Sequence, residues 1–90
     1  MASVFSEAEW VAMFEAGLMP EVFVNVWNLR AGIMLRKPGT EEYVDVTAEI
    51  ENGRELAIKA VEEAGGWLSR SGWYPPSDEI TQAIKNKIGA

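Results

Sequence analysis

A chain of 90 residues with no Cys, no His, fourteen acids, eight bases and a net charge of −6 excludes several kinds of function at once. Disulfides, thiolate nucleophiles, zinc sites of the usual ligand types and imidazole acid–base work all lack their residues. The negative charge repels phosphate backbones and anionic lipid, so neither nucleic acid nor a membrane is an expected partner.

Nearly half the residues are apolar and four are Trp, enough for one core without a metal or crosslink, and residues 1–90 read as a single domain. No apolar run approaches the roughly 20 residues of a membrane-spanning helix. The early part of the chain carries Glu7 and Glu9 rather than a basic start before an apolar stretch, which is not the form of a Sec-type signal. A soluble, cytoplasmic protein is expected.

In chain order, Ser6-Glu7-Ala8-Glu9 has the form of a capping box, in which Ser and Glu satisfy each other's backbone N–H, so a helix starts at Glu7. Phe5 before the cap and Trp10 four positions into the helix are spaced as a hydrophobic staple, and Val11, Phe14 and Leu18 continue the stripe. Gly17 suits the left-handed position after a helix, and Pro20 forbids continuation. From Glu21 the period changes to two: Val22, Val24 and Val26 alternate with Phe23, Asn25, Trp27 and Leu29, the pattern of a strand. Arg30-Ala31-Gly32 reads as a short connection, residues 33–36 as a second strand, and Lys37-Pro38-Gly39-Thr40 as a type II turn. Residues 43–50 alternate again and read as a third strand, with Val44, Val46, Ala48 and Ile50 on one side. A rival reading makes residues 46–68 one long helix, because Ile50, Ala57, Val61, Ala64 and Leu68 also fit a helical stripe.

Asn52 is placed to cap a second helix, in which Leu56, Ala57, Ala60, Val61 and Ala64 follow at helical spacing until Gly65-Gly66. Residues 67–76, with two Trp, one Tyr and two Pro, read as an ordered loop. Ser77 caps a last helix, with Ile80, Ile84 and Ile88 on one face, Lys85 and Lys87 near its end and Gly89 as its stop. The expected fold class is therefore α+β, a three-stranded antiparallel meander with helices packed on it, in the order helix, strand, strand, strand, helix, helix.

The α-β-β-β-α order of the first part is similar to that of the double-stranded-RNA-binding domain. That family reads RNA with a Lys-rich start to its second helix and a loop His, whereas here the helix opens Gly53-Arg54-Glu55 and His is absent. The similarity is one of topology, and topology does not bring function with it.

Catalytic and cofactor patterns are missing. Neither G-x-S-x-G nor S-x-x-K occurs, and the glycines are isolated or paired at turns rather than arranged as a phosphate loop. The adjacent pairs Glu41-Glu42, Glu62-Glu63 and Asp78-Glu79 point apart on either kind of element, so they do not form an acid–base pair. No enzyme activity, cofactor or metal is expected. The acids are interspersed with bases rather than arrayed as in a phosphate mimic, and Arg30, Arg36 and Lys37 fall at the ends of the first hairpin, where an acidic partner or a phosphate would meet them.

The aromatic residues are the strongest functional signal. If helices pack on the Val22, Val24, Val26, Val44, Val46 and Ile50 side, pleating sends Phe23, Asn25, Trp27, Leu29, Tyr43 and Asp45 to the other. Either the C-terminal segment covers that side with Trp67, Trp73, Tyr74 and the Ile80/Ile84/Ile88 stripe, or a partner does. The Trp73-Tyr74-Pro75-Pro76 run is a second contact element. The expected function is a non-catalytic protein–protein interaction module, an adaptor, regulator or inhibitor, contacting its partner through Phe23, Trp27, Tyr43, Trp73 and Tyr74. The alternative is a homo-oligomeric structural or assembly subunit, such as a small phage or virion component.

Overall fold

A computed structural model of the chain describes residues 5–25, 27, 30–65 and 71–88. Val26, Leu29, Gly66, Trp67, Leu68 and Gly89, to which the sequence reading assigns positions, lie outside the described residues. The first helix, α1 (Glu7–Glu15), starts where the sequence predicts. Ser6 Oγ accepts the Glu9 N–H at 3.2 Å, and the Glu9 carboxylate accepts the Ser6 N–H at 3.1 Å. Phe5 and Trp10 meet edge to face with centroids 5.7 Å apart, completing the staple. At the far end the Leu18 N–H donates to the Met13 carbonyl and the Gly17 N–H to that of Phe14. These are the two bonds of a Schellman ending, with Gly17 at φ +91°, where a side chain would be strained.

Strands β1 (Met19–Asn25) and β2 (Arg30–Arg36) form an antiparallel hairpin. Two expectations change here. The Arg30-Ala31-Gly32 run belongs to β2 rather than to the connection, because Asn25, Val24 and Phe23 pair with it in unbroken register. β1 therefore stops at Asn25, whose side-chain oxygen accepts the Trp27 N–H at 3.0 Å, an Asx turn that takes the chain out of the strand. Trp27 accordingly stands in the connection and not on the sheet face.

The turn at Lys37-Pro38-Gly39-Thr40 is as expected, closed by Thr40 N–H to the Lys37 carbonyl at 3.2 Å with Gly39 at φ +79°. Strand β3 (Tyr43–Asp45) then pairs with β2 but does not run on to Ile50. The Asp45 carboxylate accepts the Thr47 N–H at 2.9 Å and the Thr47 hydroxyl at 2.7 Å. Thr47 Oγ1 in turn accepts the Ile33 N–H at 2.9 Å, taking the place of the carbonyl a longer strand would have offered. A 3-10 turn over Thr47–Glu49 follows, and α2 (Gly53–Glu63) begins only after it, which removes the long-helix reading of residues 46–68. Asn52 sits left-handed at φ 56° and its side chain makes no capping bond, so the expected Asn cap is not formed.

The main departure from the sequence reading is a fourth strand. Within the run read as a loop, β4 (Gly72–Tyr74) pairs antiparallel with the outer edge of β1, matching Val24 with Gly72, Phe23 with Trp73 and Val22 with Tyr74. The sheet order is β3-β2-β1-β4. Helix α3 (Asp78–Lys87) follows, with Ser77 Oγ accepting the Ile80 N–H at 3.3 Å. The fold is thus α+β with a four-stranded antiparallel sheet and three helices.

All three helices contribute to one buried cluster. Trp10 of α1, Ala57, Ala60 and Val61 of α2, and Ile80 and Ile84 of α3 pack with Val22, Val24, Ile33 and Leu35 of the sheet. The Ile80/Ile84 stripe therefore lies on the Val face and does not cross to the aromatic side. Among the described residues, no helix is long and apolar enough to cross a membrane.

The approach of α2 to Thr47 leaves no room at Gly53, where an added Cβ would collide with the Thr47 carbonyl oxygen. Alanine normally gains about 1 kcal/mol over glycine in a helix. Gly53→Ala is nevertheless expected to lower stability by about 2 kcal/mol through overpacking, read in urea unfolding as a lower midpoint at unchanged slope.

Candidate functional site

Alternation sorts the strand residues onto two faces. With Val22, Val24, Ile33 and Leu35 in the core, Phe23 of β1, Gly32, Met34 and Arg36 of β2, Tyr43 and Asp45 of β3 and Trp73 of β4 belong to the opposite face. Three rings meet there. Phe23 stacks with Tyr43 at 6.4 Å and lies 5.0 Å from Trp73, while Tyr43 and Trp73 meet edge to face at 5.6 Å. Tyr43 and Trp73 come from the two edge strands, so their contact closes over the middle of the sheet.

Arg36 locks this arrangement. Its guanidinium lies 4.4 Å from the Trp73 ring centroid, Nη1 donates to the Glu21 carboxylate at 3.3 Å, and Nε donates to the Thr40 carbonyl at 3.0 Å. Cation–π attraction of about 0.5–1 kcal/mol at such a partly exposed site is thereby combined with an ion pair and a tether to the type II turn. The rings are held by one another and by Arg36, and they stay accessible: Tyr43 is 51% exposed, and Phe23 and Trp73 are half-buried.

Of the five residues that the sequence singles out, the structure gathers three, Phe23, Tyr43 and Trp73. Trp27 is 93% exposed in the β1–β2 connection, at the end of the same hairpin and outside the ring cluster. Tyr74, one residue on from Trp73 in the pleat, packs against the core on the helical side. The Trp73-Tyr74 run is therefore an edge strand that divides its two rings between faces, not a projecting loop.

Beside the rings lies an open cleft of about 480 Å³. Gly32 and Met34 form its floor, Phe23 and Tyr43 an aromatic wall, and Asn25, Arg30, Asp45, Thr47 and Arg54 a polar rim. A Cβ at position 32 would lie 2.7 Å from Thr47 Oγ1 and 3.1 Å from Met34 Cε, so glycine is what keeps the floor open. Asp45 turns Oδ1 to Thr47 and accepts two bonds there, and Arg30 makes no ion pair among the described residues. Sequence reasoning places Asn25 and Asp45 on this face, and the alternation from Tyr43 puts Thr47 there with them, but it misses Met34 and Arg54. Met34 becomes legible once β2 is taken to begin at Arg30, since Gly32, Met34 and Arg36 then alternate outward; nothing in the local sequence brings Arg54 to the cleft.

A second depression lies at the other side of the sheet, between α2 and α3. Glu63, Asp78 and Glu79 border it with Pro75 and Pro76. Glu79 pairs there with Lys59 at 2.6 Å, and this hydrogen bond raises the Lys59 pKa. It is acidic and carries no aromatic ring. In chemical terms the aromatic face offers flat apolar surfaces for stacking and guanidinium donors for an anion.

No family model, curated protein or solved structure matches the chain.

Removing the Arg36 side chain is expected to loosen the rings without unfolding the protein. Arg36→Ala should cost about 1 kcal/mol and shift the fluorine resonance of 5-fluorotryptophan at Trp73, while the resonance of Trp10, buried beneath the helices, stays in place.

Proposed function

We propose that the chain is a non-catalytic protein-interaction module, an adaptor, regulator or inhibitor, whose contact surface is the open sheet face. Phe23, Tyr43 and Trp73 form its centre, and the exposed Trp27 stands at its margin. The observation that carries this reading is the triad itself: three large rings drawn from β1, β3 and β4 meet on the face that the helices leave bare.

Each such ring buries on the order of 150–250 Å² when covered, and a monomer gains nothing from leaving a patch of that size in water. Aromatic residues and Arg are the residue types that dominate binding energy at protein interfaces. The mutual packing of the rings, with Arg36 over Trp73, also restricts them before a partner arrives, so little side-chain entropy remains to be lost on docking. The lack of Cys and His supports the non-catalytic half of the reading, because a thiolate nucleophile and an imidazole base are both missing. A second copy of the chain is one partner that this surface would accept.

Photo-crosslinking with p-benzoylphenylalanine tests the assignment. Placed at Tyr43 in cells of the native source, it is expected to give a discrete protein adduct, reduced more than about tenfold by Trp73→Ala. Placed at Glu62, exposed on α2, it is expected to give none. Adducts from Glu62 with none from Tyr43 would assign the contact to the helical side and contradict the proposal.

A further inference from the structure

We infer that the cleft beside the rings receives an acidic segment of the partner protein, an Asp or Glu adjoining an aromatic or branched apolar residue. This inference rests on the proposed contact surface and adds the chemistry of what docks there. It comes from the balance of charge around the cleft. The chain carries −6 overall, and eight of its fourteen acids lie in α1, α2 and α3. The cleft rim runs the other way, with Arg30 and Arg54 against Asp45 alone.

One oxygen of the single acid is also spent within the fold, since Asp45 Oδ1 accepts both the N–H and the hydroxyl of Thr47. Arg36 is likewise spent, on Glu21, Thr40 and Trp73. Arg30 is different. It opens β2 opposite Asn25, is exposed and makes no ion pair among the described residues. A planar guanidinium in that state matches a carboxylate through two parallel N–H donors.

The apolar half of the site sets the rest of the ligand. Met34 on the floor is only 8% exposed, and Phe23 and Tyr43 supply ring faces next to it. A cleft of about 480 Å³ holds a side chain or two and not a folded domain, so the occupant is a linear segment that pairs its carboxylate with Arg30 and lays an apolar group on the rings.

The test uses the full chain and four fragment probes built on one phenyl ring each: 3-phenylpropanoate, 3-phenylpropanamide, 3-phenylpropylamine and phenyl phosphate, each titrated by amide NMR. The carboxylate is expected to move the Gly32, Met34 and Asp45 amides with a dissociation constant of about 1–10 mM, roughly fivefold tighter than the amide. Arg30→Gln should abolish that difference and Arg30→Glu should reverse it in favour of the amine, both in a protein whose remaining spectrum is unchanged because Arg30 is exposed. Equal binding of carboxylate and amide at these residues would overturn the acidic preference while leaving the aromatic contact surface intact. Tighter binding of phenyl phosphate would overturn it in favour of a phosphorylated ligand. If no probe moves the open face and crosslinking from Tyr43 is also silent, the inference and the contact surface fail together.

Discussion

Thr47 is the point where sheet, helix and cleft are tied together. Its hydroxyl accepts the Ile33 N–H and donates to Asp45, which ends β3 after three residues and turns the chain into the 3-10 segment. That turn works only between two glycines: a side chain at Gly32 would strike Thr47 Oγ1, and one at Gly53 would strike the Thr47 carbonyl. The early end of β3 leaves the Arg30–Gly32 stretch of β2 without a strand on its outer side, and the cleft opens there. The close approach of Gly53 lays α2 over Ile33 and Leu35. Two residues further on, Glu49 is buried and accepts the Phe5 N–H at 3.3 Å, joining the entry of α1 to the same turn.

One-sided packing is the consequence. The helices and the apolar strand positions Val22, Val24, Ile33 and Leu35 form one buried core that includes Trp10. Its indole N–H has no hydrogen-bond partner among the described residues, a cost of about 1–3 kcal/mol that the burial of so large a ring offsets. Among the described residues the other face carries no second layer, and side chains lying across the sheet stabilise it. The ring contacts among Phe23, Tyr43 and Trp73 add about 0.5–1.5 kcal/mol each, and Arg36 fastens them to β1 and to the turn before β3. On the proposed function, the contacts that stabilise this face are also those that shape it for a partner, and these four residues would serve both roles.

Much of this was legible in local sequence. The capping box and staple at Ser6 and Phe5, the Schellman glycine at Gly17, the type II turn at Pro38-Gly39 and the Ile80/Ile84 stripe each depend on residues within a few positions of one another, and each is present. The alternation of Val22, Phe23 and Val24 was enough to place Phe23 on an outer face and to make that face the candidate site. What stayed hidden depends on distant partners. Three residues, one of them Gly72, are too short a run to show a strand period, and β4 exists because Phe23, far back in the chain, pairs with Trp73. Residues 43–50 alternate well enough for a longer strand, and only the side-chain bonds of Asp45 and Thr47 stop it. Tyr74 was grouped with Trp73 because a loop puts no constraint on direction, whereas the pleat of β4 sends the two rings to opposite faces. Arg54 reaches the cleft through the placement of α2, which local sequence does not encode.

The aromatic face is expected to stay uncovered in the isolated monomer. Paramagnetic relaxation of ring proton signals by an inert gadolinium chelate, at a concentration where sedimentation shows a monomer, tests it most directly. Tyr43 and Trp73 are expected to relax strongly and Trp10 to remain protected. Protection of Tyr43 and Trp73 to the level of Trp10 would mean that the chain covers its own aromatic face, and would contradict the account.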